Sequence, residues 1–218
     1  MGLSYVVLGV TLGLGTTLTF NYIVRVGMGA SSLPVTPEEV NMLLGLLVVP
    51  FSALVGLIIT TPVYLLFVND KNVGVLEYLL AVGMSQRDIF WGYLKAALLI
   101  SLVGMVPMVL LNTALARSSL QISATAGLLG LVTGLSDVAL VTVLMISYSS
   151  LQRRPTGMNS PLGITIGILV VLPEFFLVAV VRESIVWVDA AVAAAILAVS
   201  LALLSLLDRL VRREKLLP

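Results

Sequence analysis

From Val40 to Val68 the chain carries no charged side chain. That uninterrupted run restricts the fold more than any motif does. About 20 consecutive apolar residues carry a helix across a bilayer. In lipid every backbone N–H and C=O must be satisfied internally, so a run of this length is read as a helix. Comparable runs recur at about 6–26, 88–115, 123–149, 161–181 and 189–208, alongside 40–68. The whole composition agrees: 11% of residues are charged and 59% hydrophobic, with a mean hydropathy of +1.14. Soluble domains carry roughly a quarter charged residues. The expected fold is therefore an all-α integral membrane protein with six transmembrane helices.

Composition also removes chemistry. The chain has no Cys and no His, which excludes disulfides, thiolate metal sites and the usual imidazole bases and haem ligands. No GxxxxGK[ST], HExxH or GxSxG occurs, so no P-loop, zincin or serine-hydrolase signature is present. A net charge of +1 offers nothing to a nucleic acid. No Lys or Arg precedes the apolar run near Tyr5, so the charged region of a signal peptide is missing. Met1-Gly2 is followed by Val6 where N-myristoylation asks for Ser or Thr. The first run is thus read as a retained helix.

Punctuation between the runs is specific. Thr36-Pro37-Glu38-Glu39 reads as an N-cap with Pro at the first helical position and acids at the positive end of the dipole. Pro50, Pro62 and Pro107 fall inside runs and mark expected kinks. Gly127, Gly130 and Gly134 in the fourth run allow helices to approach closely. Asn21 and Asn112 are read as interhelical hydrogen-bonding groups. The fifth run is irregular, because Pro173-Glu174 interrupts it after too few residues to span. It either kinks through to Val181 or folds back near the outer surface.

Charge sets the orientation. Lys71, Arg87, Lys95, Arg153, Arg154, Arg209, Arg212, Arg213 and Lys215 fall on one side of six alternating spans, and Arg25, Arg117 and Arg182 on the other. Cationic residues favour the cytoplasm. Both termini and the Asp70–Lys95 segment are therefore expected inside, in a multi-pass protein of the cell membrane. The basic tail would touch anionic lipid. The irregular fifth run has no counterpart in the first half, which disfavours an inverted-repeat carrier.

The Asp70–Lys95 segment is the only long polar-bearing stretch between apolar runs. Residues 70–82 read as a short helix. Gly74, Glu77 and Ala81 lie on one face, and Val75, Leu76, Leu79 and Leu80 cover the other. Gly83-Met84 ends it, and Ser85-Gln86-Arg87-Asp88 reads as a cap that starts the next helix. This short element is joined on both sides to spanning helices.

The sequence GVLEYLLAVGMSQRDIFWG resembles the cytoplasmic signature of type-2 ABC export permeases. The matching residues are Gly74, Leu76-Glu77, Leu79-Leu80-Ala81, Gly83, Ser85, Arg87 and Gly92. It departs from that pattern in having Gly83 where Pro is common, only Lys71 before Gly74, and its next Lys displaced to Lys95. The resemblance implies a permease subunit of an ATP-driven exporter. Residues 70–82 would be a coupling helix between helices 2 and 3, seated on a separate P-loop ATP-binding subunit, and a second permease subunit would pair with this one. ATP and Mg would reside on the partner, with no cofactor on this chain and no catalytic residue in it. Asp70, Lys71, Gly74, Glu77, Leu80, Gly83, Ser85 and Arg87 would carry the coupling contact.

Two acids fall within the apolar runs. Asp137 either lines a substrate path or sits protonated in an interhelical hydrogen bond. A charge at that depth costs at least about 2.5 kcal/mol. Glu174 either marks an outer gate or is hydrated at the outer face. The rival readings are a proton-coupled carrier using Asp137 and Glu174, and a non-transporting scaffold. The apolar interior favours a hydrophobic or amphipathic cargo.

Overall fold

A computed structural model describes residues 2–30, 37–115, 120–152, 172 and 185–210. These residues are helical, apart from the short turns around α3 and a bend at Gln152, and contain no strand. The helices are α1 (Gly2–Ala30), α2 (Pro37–Val73), α3 (Val75–Ala81), α4 (Gln86–Leu115), α5 (Leu120–Leu151) and α6 (Ile185–Leu210). Among the described residues three stretches are long and apolar enough to cross a membrane: Pro50–Val73, Gln86–Ala114 and Gly127–Leu151. Shorter apolar stretches, Val7–Thr16 and Ala190–Leu206, lie in α1 and α6. The fifth apolar run falls outside the described residues, except for Leu172.

The bundle is built on α2 and α5. Helix α4 packs against both, α1 leans on α2 and α4, and α6 packs on α5. The reason is visible at the α2–α5 seam. A Cβ placed on Gly134 would lie 3.2 Å from the backbone of Ser52 and Ala53, so the two helices meet backbone to backbone. Gly130 faces Ser52 and Val48 in the same way. Small residues allow this approach, and it gains dispersion contacts that larger side chains would prevent.

Helix α2 runs unbroken through Pro50 and Pro62, and α4 through Pro107. A helical proline leaves the carbonyl four residues earlier without its donor. Just before Pro62, the Thr60 hydroxyl lies 3.0 Å from the Gly56 and Leu57 carbonyls, and Thr61 Oγ1 lies 3.2 Å from Leu57 O. Side-chain hydroxyls thus add hydrogen bonds to carbonyls in the turn before the proline.

Helix α2 also ends later than its sequence implies. Residues 70–73, expected to open a separate helix, form its last turn. The break comes at Gly74, whose φ of +84° is open to glycine and strained for other residues. The coupling segment expected as one helix over 70–82 is therefore divided, and only Val75–Ala81 stands apart.

Candidate functional site

Helix α3 is a single short element set between two glycine turns. It leaves α2 at Gly74, where the Gly74 N–H donates to Lys71 O at 3.3 Å. It ends in a Schellman turn. The Gly83 N–H donates to Leu80 O and the Met84 N–H to Leu79 O, both at 3.1 Å. Gly83 holds φ at +100°, the left-handed conformation that this turn requires. Two residues later Ser85 starts α4. Its hydroxyl accepts the Asp88 N–H at 3.1 Å and donates to the Asp88 carboxylate at 2.6 Å. The chain is thus redirected twice within a dozen residues, with its helix ends satisfied.

One side of α3 is core. Leu76 is fully buried among Phe67 of α2, Phe90 and Leu94 of α4, Ile146 of α5 and Leu204 of α6, with Leu79 and Leu80 partly buried against them. The other side is open: Tyr78 is 67% exposed, Val82 66% and Val75 38%, and Glu77 lies among them. Apolar and aromatic side chains thus stand exposed beside a carboxylate on this side.

Lys71 and Asp70 behave unlike surface charges. Lys71 is fully buried. Its Nζ donates to the carbonyls of Ser149 at 3.0 Å, Ser150 at 3.1 Å and Gln152 at 2.6 Å. The last carbonyls of a helix have no intrahelical donor and form the negative end of its dipole, so an ammonium there is doubly favourable. Asp70, beside it, accepts the Tyr93 hydroxyl of α4. Tyr93 stacks edge-on against Phe67, with ring centroids 5.0 Å apart at 88°. The last turn of α2 is consequently fastened to α5 by one side chain and to α4 by the next.

The residues expected at a partner surface therefore separate into two groups. Glu77 and Arg87 are exposed. Lys71 is not at the surface, and Leu80 is partly buried against the core. Asp70 is held by Tyr93, while Gly74, Gly83 and Ser85 shape the backbone. Residues the sequence reading missed are Tyr78 and Val82, which supply the open apolar face, and Tyr93, which anchors Asp70. Tyr78 and Val82 were findable, because they sit four apart on the side opposite Leu76.

Asp137 lies elsewhere. It is fully buried on α5, one turn from Gly134, with Thr133 and Ser136 also buried. It is twelve residues from Ser149, or about 18 Å along the helix at 1.5 Å per residue. The same seam carries a hydroxyl group of contacts that sequence reasoning did not single out. Tyr64 Oη lies 3.0 Å from Thr60 Oγ1 and 3.2 Å from Thr142 Oγ1, linking α2 to α5. Asn112 is buried, but its amide nitrogen meets no acceptor among the described residues. Glu174 lies outside the described residues, as do the side chains of Asn21 and Arg25. Among the described residues no three acidic side chains gather as a metal site would require. No family model matches the chain, and no curated protein or solved structure matches it.

Proposed function

We propose that the chain is the membrane subunit of an ATP-driven exporter of the type-2 ABC permease kind, with six spans and both termini in the cytoplasm. It pairs with a second permease subunit and carries two separate P-loop ATP-binding subunits, which hold ATP and Mg. Helix α3 is its coupling element. The carrying observation is the two-sided character of α3, with Leu76 fully buried beneath it and Tyr78, Val82 and Glu77 facing out. A helix rigid on one face and apolar on the other suits transmission of force from a soluble partner. The GVLEYLLAVGMSQRDIFWG resemblance supplies the identity of that partner. The absence of a P-loop from the sequence fits nucleotide chemistry on another chain. The cargo is hydrophobic or amphipathic, in keeping with few fixed charges in the spans.

The test is a mild-detergent pull-down of the tagged chain from its native membrane, with mass spectrometry and an ATPase assay. It is run beside the double variant Glu77→Ala, Tyr78→Asp. Both positions are exposed, so the fold should survive. Capture of a P-loop ATPase by the parent and its loss from the variant is the expected result. No ATPase in any of several detergents would sink the exporter reading. Proton-driven flux that depends on Asp137 would then replace it with the carrier.

A further inference from the structure

Lys71 is the one cation of the Asp70–Lys95 segment that the fold hides. It spends its three N–H donors on three backbone carbonyls at the end of α5. Those carbonyls belong to residues 78 to 81 positions away in sequence. The residue that makes this bridge also accepts, through its own carbonyl, the Gly74 N–H at the bend into α3. The bridge and the bend are therefore adjacent.

Two further fastenings surround the bend. Before it, Asp70 takes the Tyr93 hydroxyl of α4. After it, Leu76 is a fully buried plug in a cluster shared by α2, α4, α5 and α6. A bend fixed by a hydrogen-bonded carboxylate, a buried ammonium and a core side chain has no free axis about which to swing. Glycine at φ +84° then serves to make the bend, not to loosen it.

We propose that Lys71 is a positioning residue that locks α3 and the ends of α2, α4 and α5 into one rigid block. Displacement of α3 is delivered directly to α5, the helix that bears Asp137, and not absorbed at Gly74. Packed interiors transmit strain because they are close-packed and hardly compressible. The inference takes from the exporter reading only the direction of the force. The rigidity itself is measurable with no partner present.

The chain has no cysteine, so labels attach only where cysteine is introduced. Tyr78→Cys on α3 and Leu151→Cys at the end of α5 are both exposed positions, at 67% and 59%. Spin labels at this pair, read by pulsed electron resonance in lipid nanodiscs, should give one narrow distance distribution. Adding Lys71→Met should broaden it or split it in two. Acylation with an amine-reactive ester is the second measurement, and it needs no variant. Lys71 should react at least about tenfold more slowly than exposed Lys95 in the folded protein, with the difference lost on denaturation. A broad distribution with Lys71 intact, an unchanged narrow one after Lys71→Met, or equal acylation of the two lysines would each overturn the proposal. If Lys71→Met does not fold, the width of the distance distribution in the parent pair decides. Failure to capture an ATPase beside a narrow distribution would remove the exporter reading and leave the rigid block standing.

Discussion

The α3 corner and the α2–α5 seam solve the same problem, holding helices together, with opposite means. The seam relies on smallness. Gly130 and Gly134 bring α5 against the backbone of α2, and the hydroxyls of Ser52, Thr60 and Thr142 bond to carbonyls of their own helices. The corner relies on directional links between distant segments, with Lys71 on α5, Asp70 on Tyr93 and Leu76 in a shared cluster. The difference follows from the alternative each group faces. Seam residues lie within stretches apolar enough to cross a membrane, where separation would exchange protein contacts for lipid tails of equal apolarity. Close packing is then the principal gain. At the corner, Leu76 lies outside those stretches, and Asp70 and Lys71 sit in the last turn of one of them. There the hydrophobic effect and charge-assisted bonds both act.

The largest effect should come from Leu76→Ala. Emptying a buried leucine site at the corner should cost about 3 kcal/mol, read as a lowered unfolding midpoint in detergent. A change below about 1 kcal/mol would mean that the cluster collapses around the cavity and that α3 is not plugged into it. Next comes Gly134→Val, which forces branched carbon against the Ser52–Ala53 backbone. It should cost about 2 kcal/mol and separate α2 from α5. Helix–helix proximity read by engineered crosslinks across the seam would register the separation, while the corner crosslinks persist. Parallel loss of both would show that the two regions are one cooperative unit.

Smaller changes sharpen the contrast. Ser85→Ala removes the cap at the start of α4 and should cost about 1 kcal/mol. Hydrogen exchange should rise first at Arg87 and Asp88, with the seam unaffected. Thr142→Val removes the hydroxyl beside Tyr64 and should cost about 0.5 kcal/mol, because the Thr60 hydroxyl remains within reach. A cost several times larger would make the hydroxyl group a principal tie between α2 and α5.

How legible each region was in the sequence depended on the range of the interaction. The Gly83 turn and the Ser85 cap could be read from neighbouring residues, since their donors and acceptors lie within a few positions, whereas the bend at Gly74 fell inside a helix expected to run over 70–82. Lys71 could not be placed that way. Ser52, Gly56, Thr60, Tyr64, Phe67 and Lys71 recur every three or four residues and are all buried, so the helical register did point inward. Its charge argued for the surface instead. The decisive partner is a set of carbonyls at the end of α5, and a helix end advertises no side chain that a sequence reading could pair with a lysine.

By itself, then, the sequence determined the helical class, the apolar stretches and the turn and cap at Gly83–Ser85. These follow from backbone satisfaction in an apolar setting and from local capping. Only the tertiary structure decided that α2 continues to Val73, that Asp70 meets Tyr93, and that Lys71 closes the end of α5. Each depends on which helices become neighbours. At the seam that choice is visible in shape, with Gly130 and Gly134 set close against α2.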